Sequence, residues 1–454
     1  MRFQFKQTIR TIMVLFDIVI LSGAFYFLWI SLYNSDIPNP FFRNGNYLLT
    51  IVYALIVTVT VILMKGHQVG QNRITEILLS HAIALGLCNT IMFLLASLLS
   101  YEFVDFVGFI WLTVIQMIIV TFWACIANRV YYQIYPPHDM LLVYDDEINH
   151  AIKKKLNRIV DKYRILKEIN VSEGREAIEA AMEPFDSIVL SVNSTELRQW
   201  MINLCYQKAK RLYVVPSITN ILVNGATDIR VVDTPMLFLR NQGLTNEKRL
   251  YKRLLDIVGS LCGILVLSPI FLVTALAIWA YDRKNVFYTQ ERLTIDGKVF
   301  KVLKFRSMIV DAERNGAQLA TVDDDRITPV GKIIRKLRID EIPQLFNVLK
   351  GDMSLVGPRP ERPEIAAEYE KSMPEFAYRL KAKAGLTGYA QVYGKYNTTA
   401  YDKLLMDLIY IENYSFLLDL KLMILTLRVV MMPDKTEGIQ QGERMAQTKK
   451  TTEE

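Results

Sequence analysis

Cysteine and histidine are both scarce in this chain of 454 residues, which has four of each. The cysteines form no Cys-x-x-Cys pair, so the sequence predicts neither a disulfide framework nor a zinc site. All four histidines lie in the first third of the chain. Whatever chemistry the remaining two thirds perform must therefore proceed without an imidazole base.

A glycine-rich turn is also absent where a dinucleotide-binding domain would carry one. Across residues 136–245, short apolar runs alternate with polar helical stretches, which predicts a Rossmann-like α/β domain with about four parallel strands. The predicted strands are Met140–Tyr144, Tyr163–Ile169, Phe185–Val192 and Arg211–Val215. The turn after the first strand begins with Asp145 and Asp146, whose carboxylates would repel a pyrophosphate. We therefore expect a structural or regulatory domain rather than a nucleotide site.

Apolar residues, by contrast, are abundant. Hydrophobic residues make up 52% of the chain and the mean hydropathy is +0.20, which is too apolar for an ordinary soluble protein. Four apolar runs within residues 1–135 approach or exceed the length of about 20 residues that a helix needs to cross a membrane. The runs are Thr11–Leu32, Tyr47–Met64, Ile77–Leu99 and Phe106–Ala127. We predict four transmembrane helices.

The basic residues near these runs indicate which side of the membrane each loop faces. They lie before the first run, between the second and third, and after the fourth: Arg2, Lys6, Arg10, Lys65, Arg73 and Arg129. The two opposite loops contain only Arg43 as a basic residue. Because Lys and Arg concentrate in cytoplasmic loops, we expect a multi-pass protein of the cell membrane whose domains after residue 135 face the cytoplasm.

A fifth apolar run, Leu254–Ala280, has basic residues at both ends and Pro269 near its middle. A proline bends a helix and leaves one carbonyl without its donor, and the hydroxyl of Ser268 can bind that carbonyl. The run is therefore predicted to enter the membrane and return on the same side, as a re-entrant helix that opens an α+β domain at residues 246–434. The alternative is a kinked fifth span, which would place the basic C-terminal third outside. Residues 435–454 are polar and aperiodic, which predicts a disordered tail.

Two basic residues share one face of a predicted strand, Phe300–Arg306, because the period of two places Lys304 and Arg306 together. Two neighbouring cations suit a diphosphate. The alternative is a solvated strand face, since basic residues are common on edge strands.

Two adjacent carboxylates, Asp340 and Glu341, open a predicted helix at Ile339–Lys350, which has Pro343 in its first turn and Gly351 after its end. A helix N-terminus attracts anions, and a carboxylate-bound divalent cation can bridge to phosphate. One carboxylate could hold a metal ion while the other attacks phosphorus, a reaction that needs no histidine. The alternative is an ordinary N-cap with an exposed neighbour.

Two further segments could contact a substrate. The prolines of Val356–Pro363 hold Arg359 in a nearly fixed position, which suits phosphate or a uracil edge, although a rigid connector would look the same. The glycines of Gly385–Lys395 permit close backbone approach, with Gln391 as a polar donor, and turns alone would also explain them.

Three motifs together resemble the polyprenyl-phosphate glycosyl-1-phosphate transferases, also called bacterial sugar transferases. They are KFRSM at Lys304–Met308, the run from Asp340 to Glu361, and GLTGYAQVYGK at Gly385–Lys395. The resemblance covers about Lys248–Met432. The preceding part looks like that of the larger, multi-span members, which initiate capsular and exopolysaccharide repeat units in Gram-positive bacteria.

The resemblance implies roles for individual residues. In the family, the Asp of the Asp-Glu pair is the proposed nucleophile and the Glu is a magnesium ligand, which assigns these roles to Asp340 and Glu341. The family's re-entrant helix breaks at a Ser-Pro pair, which Ser268 and Pro269 match.

The resemblance also implies an activity, the transfer of a hexose 1-phosphate, glucose or galactose, from UDP-hexose to undecaprenyl phosphate with release of UMP. Mg²⁺ is the implied cofactor, and the residues expected to bind substrate are Lys304, Arg306, Arg359 and Gln391. We expect UDP-hexose, undecaprenyl phosphate and membrane lipids as partners, no nucleic acid, and leave homo-oligomer formation open. The alternatives are direct single displacement, an inverting glycosyltransferase that releases UDP, and a non-enzymatic membrane scaffold of polysaccharide assembly.

Overall fold

The computed structural model describes residues 2–430 apart from residues 36, 38, 39, 71, 136, 147–151, 158–162, 240–242, 311–323 and 395–397, and apart from the side chains of residues 2–7, 10 and 154. The predicted disordered tail, residues 435–454, lies outside the described residues. The chain divides into two compact units, Met1–Pro216 and Ser217–Glu454.

The first unit opens with four long helices. They are α1 (Arg2–Leu28, continued by a π-helical turn at Trp29–Tyr33), α2 (Arg43–Leu63), α3 (Ile74–Ser100) and α4 (Val107–Ile134). Each is long and apolar enough to cross a membrane, which confirms the four predicted runs. The chain is a membrane protein.

Polar side chains join these helices from within. The Tyr53 hydroxyl of α2 donates to Asn89 Oδ1 of α3 at 2.9 Å, and Gln116 Nε2 of α4 donates to the same hydroxyl at 2.7 Å. His81 Nε2 lies 3.1 Å from Asp17 Oδ2, with both side chains buried. Hydrogen bonds between helices stabilise bundles in lipid, where apolar contact supplies no hydrophobic driving force.

The rest of the first unit contains a four-stranded parallel sheet in the order β2-β1-β3-β4. The elements are β1 (His138–Tyr144), α5 (Ile152–Leu156), β2 (Tyr163–Asn170), α6 (Arg175–Met182), β3 (Ser187–Ser191), α7 (Thr195–Gln207) and β4 (Arg211–Val214). All four strands overlap the predicted runs. After β1, Asp145 Oδ2 accepts a hydrogen bond from the backbone N–H of Asn193 at 2.5 Å, so this carboxylate joins two loops of the sheet.

The second unit combines helices with three two-stranded sheets. Its elements are α8 (Ile218–Asn224), β5 (Thr227–Val231), β6 (Thr234–Phe238), α9 (Asn246–Asp282), β7 (Phe287–Leu293), β8 (Val299–Phe305), α10 (Pro329–Lys336), α11 (Gln344–Lys350), β9 (Ser354–Val356), α12 (Pro363–Ser372), β10 (Gly385–Thr387), α13 (Tyr389–Tyr393), α14 (Ala400–Glu412) and α15 (Phe416–Val430). Strands β5–β6 and β7–β8 are antiparallel, and β9–β10 are parallel. The predicted domain boundary at residue 246 falls inside this unit, because Ile221 of α8 packs with Leu404 and Leu408 of α14.

Helix α9 contains 37 residues and is the fifth helix long and apolar enough to cross a membrane. The Ser268 hydroxyl donates to the carbonyl of Leu265 at 2.8 Å. Leu265 lies four residues before Pro269, so this is the carbonyl that the proline deprives of its helical donor. The contact is the one that the Ser-Pro pair suggested.

Both ends of α9 contact the same unit. Near its start, Lys252 Nζ lies 2.7 Å from Asp419 Oδ2 of α15. At its end, Asp282 Oδ1 accepts a hydrogen bond from Arg306 at 2.5 Å. A straight helix of this length would be about 55 Å long. The two contacts therefore attach widely separated parts of α9 to one domain.

Candidate active site

The carboxylate pair lies in a short turn before α11. Ile339–Glu341 form a 3₁₀ turn, and α11 begins only at Gln344. The predicted helix over Ile339–Lys350, with Asp340 as its cap, is therefore wrong in its first turn. Backbone N–H groups here donate to carbonyls three residues earlier, Ile342 to Ile339 and Leu345 to Ile342, which is the hydrogen-bond pattern of a 3₁₀ turn.

Three basic residues surround Glu341. Its Oε1 accepts hydrogen bonds from Arg359 Nη2 at 2.9 Å and Lys304 Nζ at 3.2 Å, and its Oε2 lies 3.7 Å from Arg338 Nη1. Burial alone would raise the pKa of Glu341, but the three cations outweigh burial and hold that pKa well below its usual range. Glu341 is therefore ionised at neutral pH.

Asp340 has a different environment from its neighbour. Burial, followed by the negative charge of Glu341, raises the pKa of Asp340 to about 6 against the opposing effect of nearby cations. A pKa of about 6 still leaves most of the group as carboxylate at pH 7. The two carboxylates thus differ: one is strongly stabilised as an anion, and the other carries a poorly stabilised charge that suits nucleophilic attack.

A pocket opens beside Glu341, whereas Asp340 is not among its lining residues. Its lining residues are Arg292, Val302, Lys304, Glu341, Gln344, Arg359, Pro360, Gly385 and Leu386. Of the residues proposed from sequence to bind substrate, Lys304 and Arg359 line the pocket.

Arg306 and Gln391 are placed elsewhere. Strand β8 ends at Phe305, so the alternation of side chains stops before Arg306, whose guanidinium binds Asp282 instead. Gln391 lies on α13, where its Nε2 donates to the carbonyl of Leu386 at 3.0 Å. Gln391 therefore does not line the pocket itself, but it contacts the backbone of Leu386, which does.

Sequence reasoning missed Arg292. In the β7–β8 hairpin, Tyr288 pairs with Lys304 and Arg292 pairs with Phe300. Side chains of directly paired residues project from the same face of a sheet, and each strand alternates with a period of two. Arg292 and Lys304 therefore share a face. A hairpin register assigned across Ile295–Gly297 would have shown this.

The end of α11 opposite the carboxylates is attached to α9. Arg253 donates from Nη1 to the carbonyl of Val348 at 2.8 Å and from Nη2 to that of Leu349 at 2.7 Å. The last carbonyls of a helix have no partner within it, and arginine commonly satisfies them. At the other end, Phe346 packs edge-on against Phe271 of α9, with ring centroids 5.8 Å apart.

Magnesium, the cofactor that the motifs imply, is usually held by one or two carboxylates together with substrate phosphates and water. Within the part of the chain that the structure describes, no group of three or more His, Cys, Asp or Glu residues could hold a metal ion. Asp340 and the ionised Glu341 provide two carboxylates, but the oxygens of Glu341 are engaged by Arg359, Lys304 and Arg338, so a magnesium ion bound there would have to displace some of these cations.

Comparison with known proteins identifies the family of the region that contains this site. A family model described as bacterial sugar transferase matches residues 247–433, which include α9, the carboxylate pair and the pocket. An uncharacterized sugar transferase of Bacillus subtilis is 40% identical over 190 residues, which are 42% of this chain and 90% of that protein. The chain belongs to the bacterial sugar transferase family.

Two longer relatives match the same region of the family. A UDP-N-acetylgalactosamine-undecaprenyl-phosphate N-acetylgalactosaminephosphotransferase of Aeromonas hydrophila is 42% identical over 183 residues, 40% of this chain and 43% of that protein. An undecaprenyl-phosphate glucose phosphotransferase of Komagataeibacter xylinus is 37% identical over 226 residues, 48% of this chain and 42% of that protein. The matches span less than half the length of these two relatives.

Proposed function

We propose that this bacterial sugar transferase moves a hexose 1-phosphate, glucose or galactose, from UDP-hexose to undecaprenyl phosphate and releases UMP. The reaction would be the first membrane step of capsular or exopolysaccharide repeat-unit synthesis. The observation that carries the proposal is the geometry of the carboxylate pair: Asp340 adjoins Glu341, which three cations surround at the edge of a basic pocket. The names of the two longer relatives, both undecaprenyl-phosphate sugar phosphotransferases, support it.

The chemistry has two steps. A carboxylate oxygen of Asp340 attacks the β-phosphorus of UDP-hexose, the bond from that phosphorus to the bridging oxygen breaks, and UMP leaves with the electron pair. A phosphate oxygen of undecaprenyl phosphate then attacks the same phosphorus and releases the Asp340 carboxylate. Lys304 and Arg359 neutralise charge on the phosphoryl oxygens. Glu341 is the residue that would hold Mg²⁺, which when bound offsets phosphate charge.

The test uses the full chain in nanodiscs with a panel of UDP-hexoses labelled in the sugar phosphate. Without lipid acceptor, UMP should form at about one equivalent per site, as expected for a covalent intermediate. With undecaprenyl phosphate added, the label should enter the lipid. Release of UDP would favour an inverting glycosyltransferase, and absence of any nucleotide product would favour a scaffold. Either result would refute the proposal.

We further propose that α9 is re-entrant and that the catalytic unit faces the cytoplasm. Three observations support this: both ends of α9 contact one domain, both flanks are basic, and Ser268 compensates the carbonyl freed by Pro269. A helix that crossed the membrane would have to place one of these two domain contacts on the far side.

Cysteine labelling in intact cells tests this topology. In a cysteine-free background, Glu247→Cys and Asp296→Cys should both resist a membrane-impermeant maleimide, because both flanks of α9 would lie inside. Glu102→Cys, in the exposed loop between α3 and α4, is the control that should react. Labelling at only one of the two flanking positions would show a fifth span instead.

The two pocket cations proposed from sequence give a second test. Lys304→Ala and Arg359→Ala should each lower kcat/KM for UDP-hexose by roughly 10²-fold, the usual effect of removing one donor to a developing anion. Arg359→Lys should also be impaired, because a point charge cannot reproduce the guanidinium fork.

Lys301→Ala is the matched control for these variants, since Lys301 is exposed and lies on the opposite face of β8. Its kcat/KM should stay near the wild-type value. Equal kcat/KM values for all four variants would show that Lys304 and Arg359 do not bind the substrate.

A further inference from the structure

The pocket beside the carboxylate pair has an excess of positive charge. Three of its lining residues are cations, namely Arg292, Lys304 and Arg359, whereas Glu341 is the single acidic residue among the lining residues. Lys304 and Arg359 both bind Glu341, so this carboxylate is shared between them. The charge of Arg292 is not offset in this way.

Arg292 is held mainly by neutral acceptors. Its Nη1 donates to the carbonyl of Pro360 at 3.0 Å and its Nη2 donates to Gln290 Oε1 at 2.5 Å. The carboxylate of Glu361 lies farther away, 4.0 Å from Nη1. Only 18% of the Arg292 side chain is exposed, so a largely buried guanidinium is held by two neutral acceptors, with the carboxylate of Glu361 at the distance limit of an ion pair.

The electrostatics of Arg292 follow from this placement. Burial and then the charge of Arg359 lower the pKa of Arg292 to about 10, although Glu361 opposes them. The group therefore remains protonated at neutral pH. A buried cation that is fixed but poorly compensated would be stabilised by an anion entering the pocket.

We infer that Arg292 is a phosphate-binding residue, which completes with Lys304 and Arg359 a three-cation cradle for the diphosphate of the nucleotide sugar. The inference rests on the proposed function for the identity of the ligand. A guanidinium with five N–H donors can keep its contacts to Pro360 and Gln290 and still donate to a phosphate oxygen. Arg292 thus takes the place in the pocket that the sequence had suggested for Arg306.

Isothermal titration of the full chain in nanodiscs with UDP and with uridine tests this role. Arg292→Gln should weaken UDP binding by about tenfold or more, since a hydrogen bond to a charged group is lost, while uridine binding stays within about twofold. Arg292→Lys should recover part of the UDP affinity. Lys301→Gln, on the other face of the hairpin, should bind both compounds as the wild type does.

Arg292 could instead only hold the Pro360 loop in place. Loss of Arg292 would then weaken the binding of uridine and of UDP to the same extent, or would weaken the binding of neither. Either of those outcomes overturns the inference. Thermal unfolding of each variant shows whether it is folded, and Arg292→Lys serves as the test variant if Arg292→Gln is not. Inorganic pyrophosphate should also bind more weakly to the variant used.

The two proposals can fail separately. If the wild type transfers sugar phosphate but Arg292→Gln and Arg292→Lys both keep wild-type UDP affinity, the phosphate-binding role is wrong and the activity stands. If the wild type transfers nothing but pyrophosphate binding depends on Arg292, the anion site stands and the proposed activity is wrong.

Discussion

Asp340→Asn should abolish the lipid-linked product, with turnover reduced by roughly 10³-fold or more, as for the loss of other catalytic nucleophiles. The amide has nearly the shape of the carboxylate but no charge with which to attack phosphorus. Under single-turnover conditions without lipid acceptor, wild-type protein should retain labelled sugar phosphate after denaturation. The Asp340→Asn protein should retain none, even at saturating magnesium.

Two further variants make this result specific. Asp325→Asn changes an exposed acid of the same unit and should leave turnover unchanged. Glu341→Gln should also impair the enzyme, but partly through an altered magnesium dependence, because Glu341 would hold the ion. If Asp340→Asn keeps near-normal turnover, or if wild-type protein forms UMP only when lipid phosphate is present, direct displacement becomes the better mechanism.

A second large effect is expected from Lys252→Met, in stability rather than in chemistry. Lys252 Nζ lies 2.7 Å from Asp419 Oδ2 and donates to the Tyr410 hydroxyl at 2.9 Å, and Lys252, Tyr410 and Asp419 are all buried. Removing the ammonium leaves the Asp419 carboxylate uncompensated, which typically costs about 3–5 kcal/mol. The free energy of unfolding of the second unit should fall by that amount, as measured by denaturant titration in detergent.

The double variant Lys252→Met/Asp419→Leu should recover most of the lost stability, because neither charge then remains buried alone. Arg249→Met is the control, since Arg249 is exposed on the same helix one turn earlier, and its effect should be within about 0.5 kcal/mol. A Lys252→Met protein as stable as the wild type would mean that the buried pair does not anchor α9.

The features that the sequence predicted correctly depend on short stretches of chain. The four apolar helices and the four parallel strands follow from local hydrophobic patterns, and the elements found overlap the predicted runs. The roles predicted for the adjacent carboxylates Asp340 and Glu341 stay predictions.

The features that the sequence did not predict depend on distant partners. Glu341 binds Lys304, which is 37 positions away in the sequence, and Arg306 binds Asp282, which is 24 positions away. The position of Arg292 follows from the hairpin register, which neither strand specifies alone.

The attachment of α11 to α9 links the carboxylate pair to the helix that we propose to be re-entrant. Arg253 and Phe271 hold α11 at both ends, and the carboxylate pair directly precedes that helix. If α9 enters the bilayer as proposed, the depth at which it settles sets the height of Asp340 above the hydrocarbon. Helices respond to hydrophobic mismatch by tilting or shifting, so under the proposed mechanism acyl-chain length determines how closely Asp340 approaches the lipid phosphate.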